Sequence, residues 1–147
     1  MWSIAREDPV SYRYDLVTVL KGTLFSGLGV ARTRVADNLD LYETKTGMRF
    51  IPGTLNLRLP APPELPDVGV RIDADEIRTT GHRTDIMLVP ARLRGERVFL
   101  LRPQVPVHDP EVLEVLAPFS LRERFDLHDG DEIEIEVDPD AERAAGD

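Results

Sequence analysis

Glycine and proline interrupt this chain so often that the apolar runs between them suit short strands and turns far better than long helices. Its 147 residues carry 12 prolines and 10 glycines, spread as punctuation from end to end. The runs at 16–20, 48–51, 54–59, 68–72, 86–91, 97–102, 112–116 and 132–137 are the strand candidates. The last gives the plainest signal, because Glu132, Glu134 and Glu136 alternate with Ile133, Ile135 and Val137 directly after the turn residues Asp129-Gly130-Asp131. That alternation makes one wet face and one buried face. Two short helices are expected, at 35–46, where Leu39 and Tyr42 or Glu43 share a face, and at 121–127, where Leu121 and Phe125 stand at i and i+4. The segment 59–69 holds four prolines, which withhold donors from a sheet, so it reads as an extended surface connection.

Many short strands with few helices close into a barrel or stack as a sandwich, so the expected class is mainly β. The length favours a single domain over 1–147, with an ordered barrel over about 12–138 and mobile segments at 1–9 and 138–147, where apolar groups are few. A hydrophobic share of 41% and a charged share of 31% belong to a globular chain. Lys and Arg number 18 against 27 Asp and Glu, a net charge of -9, which argues against a nucleic-acid partner because such proteins neutralise phosphates with a basic surface. The absence of cysteine excludes disulfides, a thiol nucleophile and a thiolate metal site. No apolar stretch approaches the roughly 20 residues of a membrane span. The charged opening residues do not resemble a leader peptide, so a cytoplasmic location is expected.

Common catalytic signatures are missing: there is no GxSxG elbow, Walker A sequence or HExxH, and His82, His108 and His128 lack metal-ligand spacing. Asp73-Ala74-Asp75-Glu76 lacks the glycine and terminal glutamate of a calcium loop and reads as a solvated turn. In Ser26-Gly27-Leu28-Gly29-Val30-Ala31-Arg32, two glycines let backbone N–H groups converge on a phosphate with Arg32 beside them, although Gly-x-Gly also serves as a tight turn or bulge. Pro52-Gly53 sets a turn, and Thr54 and Asn56 after it point to one face of the next strand. Two neutral oxygens suit a hard cation whose charge is already met by nucleotide phosphates, where carboxylates would repel; they also fit an ordinary solvent-facing strand. Glu114 is a lone carboxylate inside the apolar run 112–116, either on a wet face or desolvated at a cleft, where it can accept a hydroxyl proton.

Taken in order, Gly27-Leu28-Gly29, Pro52-Gly53-Thr54-Leu55-Asn56, Leu113-Glu114-Val115-Leu116-Ala117-Pro118, Leu121-Arg122 and Leu127-His128-Asp129-Gly130-Asp131 resemble the archaeal-type CTP-dependent riboflavin kinases. The resemblance implies a small closed six-stranded barrel of the cradle-loop type. It also implies transfer of the terminal phosphoryl group of CTP to the ribityl 5′-hydroxyl of riboflavin, giving FMN and CDP with Mg²⁺. By position, Gly27, Leu28, Gly29, Val30, Ala31 and Arg32 would form the nucleotide loop, and Thr54 and Asn56 would hold the metal. Glu114 would contact the flavin and act as general base, and Phe119, Ser120, Leu121 and Arg122 would form a second nucleotide stretch. Two departures stand out: Val30-Ala31 replaces the family's Glu-Gly, and Pro106 stands where a threonine contacts the flavin. They motivate the alternative of a non-catalytic flavin- or nucleotide-binding barrel. The chain is expected to be a monomer or weak homo-oligomer, and the short segment ahead of the barrel leaves no room for the helix-turn-helix that some relatives carry.

Overall fold

The computed structural model describes residues 18–26, 35–66, 68–78, 84–104 and 109–137. Among them, the strands are β1 Thr18–Phe25, β2 Leu55–Arg58, β3 Val70–Ile72, β4 Ile86–Leu93, β5 Glu96–Pro103, β6 Val112–Leu116 and β7 Glu132–Val137. Helix α1 spans Leu39–Thr46 and α2 spans Leu121–Phe125, with a single 3-10 turn at Ala74–Glu76. All pairings are antiparallel, in the order β3-β4-β5-β6-β2-β1-β7, and a further pairing of β4 with β7 closes six of the strands into a barrel. β5 runs along the whole of β4, so β3 and β7 must share the other edge. β3 takes Ile86–Leu88 and β7 meets Arg92 opposite Glu136. Pro90, which has no ladder donor, falls in the gap between them.

The barrel is filled by inward residues of all six closing strands, among them Leu24, Leu57, Val89, Leu100, Val115 and Ile135, all at most 1% exposed. A second apolar cluster lies on the outside of the wall. Tyr42 of α1, Phe50, Ile72 and Ile77 cover Ile86, Leu88, Phe99, Leu101 and Leu116 of β4, β5 and β6. This cover explains a contrast in the sequence. β4 and β5 are buried on both faces and read as continuous apolar runs, whereas β7 keeps an open outer face and alternates residue by residue. The buried Asn38 amide oxygen accepts the Arg78 N–H at 2.8 Å and so ties the helical side of the cover to the segment after the 3-10 turn.

Three expectations need correction. The segment 48–51 is not a strand: Phe50 leaves the sheet to pack edge-on between Tyr42 and Phe99, with ring centroids 6.2 and 5.7 Å away, and tertiary packing overrides its β-propensity. The first strand does not stop at residue 20. It runs to Phe25, because β7 and then β2 supply partners along its length. The second helix ends at Phe125, where Asp126 turns into the left-handed region. The expected solvated turn at 73–76 is a 3-10 turn closed by reciprocal hydrogen bonds between Asp73 and Glu76. Leu39 and Tyr42 share the inner face of α1 while Glu43 is exposed. The expected mobile segments 1–9 and 138–147 lie outside the described residues.

Gly69 leads into β3 at φ +130°, and a Cβ there would stand 2.3 Å from the Leu88 carbonyl oxygen on β4. Gly69→Ala therefore combines a disfavoured backbone with a clash against backbone. It is expected to lower stability by about 2 kcal/mol or more, read as a shift of the urea midpoint at unchanged slope.

Candidate functional site

The register between β2 and β6 builds the polar centre of the site. Asn56 lies directly opposite Glu114, with Leu55 opposite Val115 and Leu57 opposite Leu113. The leucines and valine face the barrel interior, so Asn56 and Glu114 must both face outwards. Directly opposed residues bring their side chains within reach of one another. Just ahead of β2, Pro52-Gly53 turns the chain with Gly53 at φ +101°, the positive value a Pro-Gly turn of type II requires. The turn delivers the Thr54 hydroxyl onto the same face, where it has one hydrogen to share between Asn56 Oδ1 at 3.1 Å and Glu114 Oε1 at 3.4 Å. Glu114 is only 3% exposed, since the outer apolar cover reaches Leu101 beside it and Leu116 two residues on. The carboxylate is thus buried rather than on a wet face.

A cleft of about 350 Å³ opens beside this trio, where β1 ends, β2 begins and β6 leads into α2. Thr54 and Asn56 line it together with Phe119, Ser120, Leu121 and Arg122, so the structure joins two of the stretches singled out in the sequence. Glu114 does not line the cleft but stands behind Thr54. Phe119 is held as a wall by Arg124, whose guanidinium lies 4.0 Å from the ring centroid and pairs with Glu96 at 2.8 Å. Ser120 caps α2 by accepting the Glu123 N–H at 3.2 Å. Ile51, an exposed apolar residue, and Pro52 complete one rim.

The sequence reading gave Phe25 no role, named Ser26 only as the head of the glycine segment and gave Asp129 no role at a site. Phe25 and Ser26 line the cleft immediately before Gly27. Asp129, named in the sequence as a turn residue and within the 127–131 block, accepts the Ser26 hydroxyl at 2.7 Å through one carboxylate oxygen and Arg122 Nη2 at 2.7 Å through the other. Arg122 Nη2 also reaches the Phe25 carbonyl oxygen at 3.4 Å. The Ser26 hydrogen bond first, then the Arg122 guanidinium, hold the Asp129 carboxyl below the usual aspartate range. No periodicity announces such a network, because its members are 103 and 7 residues apart in the chain.

Gly27, Leu28, Gly29, Val30, Ala31, Arg32 and Pro106, like His82 and His108, lie outside the described residues. His128 is exposed, with Nε2 3.1 Å from Asp126 Oδ1. Among the described residues no group of three or more His, Asp or Glu side chains could hold a metal ion, and no helix is long and apolar enough to cross a membrane.

The CTP-dependent riboflavin kinase family, described as a domain of unknown function, DUF120, matches residues 24–137. A riboflavin kinase of Methanocella arvoryzae is 34% identical over 127 residues, covering 82% of this chain and 57% of that protein. A riboflavin kinase of Pyrobaculum islandicum is 33% identical over 91% of this chain and 67% of its own length. A riboflavin kinase of Thermococcus kodakarensis is 32% identical over 81% of this chain and 58% of its own length. The chain thus spans between about half and two thirds of the curated relatives it matches.

Because the folded state depresses the Asp129 pKa, its contribution to stability is present above the ordinary value of 3.8 and is lost as pH falls through the lower folded value. The stability difference between wild type and Asp129→Asn should therefore be constant through the neutral range. It should shrink below about pH 4, as denaturant melts across pH will show.

Proposed function

Since this chain belongs to the CTP-dependent riboflavin kinase family, we propose that it phosphorylates the ribityl 5′-hydroxyl of riboflavin with CTP as donor, giving FMN and CDP. The observation that most supports this reading is the convergence of Thr54, Asn56 and Glu114 beside a cleft that also receives Phe119, Ser120, Leu121 and Arg122. Phosphoryl transfer asks a protein chiefly for positioning and for charge stabilisation, and a site with one buried carboxylate and neutral oxygen donors suits both.

The Thr54 hydroxyl and Asn56 carbonyl oxygens, 3.1 Å apart, fit a hard divalent cation that arrives with its charge partly met by phosphates. They are the residues proposed to hold Mg²⁺, which when bound would neutralise charge on the phosphoryl oxygens. Phe119 and the segment through Arg122 line the nucleotide end of the cleft, with the ring of Phe119 fixed by Arg124. Glu114, kept from water behind Thr54, is proposed to accept the hydroxyl proton by way of the Thr54 hydroxyl, since its own carboxylate does not line the cleft. Gly27, Leu28, Gly29, Val30, Ala31 and Arg32 are proposed to continue the nucleotide site from Ser26, and residue 106 to lie at the flavin. A monomer or weak homo-oligomer in the cytoplasm, where nucleoside triphosphate is available, goes with this proposal. Val30, Ala31 and Pro106, which replace the family's usual residues, favour one other reading, a barrel that binds flavin or nucleotide without turnover.

Incubation with riboflavin, Mg²⁺ and each nucleoside triphosphate in turn decides between the two readings. FMN formed with CTP above the others supports the kinase, and binding without FMN supports the module. Thr54→Ala and Asn56→Ala are each expected to cut FMN formation by about 10²-fold or more, because charge stabilisation is lost from the transition state. Stability should change by no more than about 1 kcal/mol, the worth of one hydrogen bond. Glu114→Gln keeps shape and cannot take a proton, so it is expected to slow kcat by about 10²–10⁴-fold with riboflavin binding nearly intact. A loss under about tenfold would assign Glu114 to holding Thr54.

A further inference from the structure

We propose that Asp129 is a positioning residue for the nucleotide end of the cleft, setting Ser26 and Arg122 in the places from which they meet the ligand. The proposal rests on reading this cleft as a nucleotide site. Ser26 and Arg122 line the cleft and Asp129 does not, yet its two carboxylate oxygens hold one of them each, at 2.7 Å. A carboxylate facing phosphates would repel them. Here its charge is met by the Arg122 guanidinium and it stands behind the two residues it holds, so its contribution is geometric.

The turn that carries Asp129 is fastened without its side chain. The Gly130 N–H donates to the Leu24 carbonyl at 2.8 Å, and the Leu24 N–H donates to the Asp131 carbonyl at 2.8 Å. The Asp131 carboxylate accepts the His128 N–H at 2.8 Å, and the Asp131 N–H reaches the His128 carbonyl at 3.0 Å. Backbone bonds therefore place the turn against the end of β1, and the Asp129 carboxylate is left to orient side chains. Exposed ion pairs contribute little to global stability, so removing this one should leave the barrel folded. What it removes is preorganisation. Ser26, the last residue before Gly27, regains its rotamers, and Arg122 is released from one fixed direction, so ordering both is added to the cost of binding.

The test compares wild type, Asp129→Ala, Asp129→Asn and Ser26→Ala in steady-state kinetics and in melting. Asp129→Ala is expected to raise the KM for CTP by about tenfold, a coupling within the usual range for residues of one hydrogen-bond network. Its kcat and riboflavin KM should stay within about twofold of wild type, since neither the transferred group nor the flavin is touched. Asp129→Asn should recover part of the loss, because one amide oxygen can still accept from Ser26. The double variant Ser26→Ala/Asp129→Ala should lose less CTP affinity than the two single losses combined, because Asp129 acts partly through Ser26. A CTP KM equal to or below that of wild type in a normally melting Asp129→Ala protein overturns the proposal. So does a loss that falls equally on kcat and on the riboflavin KM. If Asp129→Ala does not fold, Asp129→Asn is read against the same criteria. If the wild type forms no FMN, the kinase reading fails while titration of CTP with Mg²⁺ by calorimetry still judges Asp129. Weaker binding in Asp129→Ala supports its role, and equal binding, or none by the wild type, overturns it.

Discussion

β4 pairs with β5 along one edge and with β3 and then β7 along the other, and that closure constrains every other register in the molecule. An open sheet leaves its terminal strands free to slip, whereas each strand of a closed barrel is held between two neighbours at once. Because side chains alternate across the wall, a slip of one residue anywhere would exchange inside for outside. At β6 such a slip would drive Glu114 into the packed interior and turn Leu113 or Val115 to the surface. The apolar filling of the barrel and the placement of the buried Glu114 carboxylate are thus enforced by the same geometry.

The second constraint is the extent of the outer cover. The layer made by α1, Phe50 and the segment through Ile77 reaches across β4, β5 and β6, and the outer residues of β2, β1 and β7 are partly or fully exposed. The polar trio occupies the boundary. Glu114 takes its burial from the covered side, and Thr54 and Asn56 take access from the open side. A carboxylate excluded from water beside reachable neutral oxygens requires such a border, since a fully covered site would admit no ligand and an open strand face would hydrate the acid.

Charge is managed in keeping with this. A chain of net charge -9 has few cations to spare for phosphates, and many of its arginines are engaged with its own carboxylates: Arg49 with Asp40 and Glu43, Arg71 with Asp73 and Asp85, Arg124 with Glu96. Arg122 belongs to this group through Asp129, but unlike those three it also lines the cleft, where its direction matters more than its charge. The donors proposed to meet a metal are neutral, which avoids adding further negative charge where phosphates are proposed to lie.

Much of the architecture is legible in the chain before it folds. The Glu132–Val137 alternation, the run at 112–116 and the punctuation by proline and glycine name most strands and the class, because side-chain period and turn chemistry are local properties of the chain. The Thr54–Asn56 spacing was equally local, since two residues apart on a strand share a face wherever that strand lies. Tertiary structure decided what no local pattern records. Phe50 left an apparent strand because Tyr42 on the neighbouring helix and Phe99, distant in the chain, offered better packing than a ladder could. Glu114 became a buried acid rather than a solvated one because the outer cover stops beside it. Asp129 passed as an ordinary turn residue until closure of β1 against β7 set its carboxylate between Ser26 and Arg122. Each of these depends on contacts between segments distant in the chain, which a one-dimensional pattern does not encode.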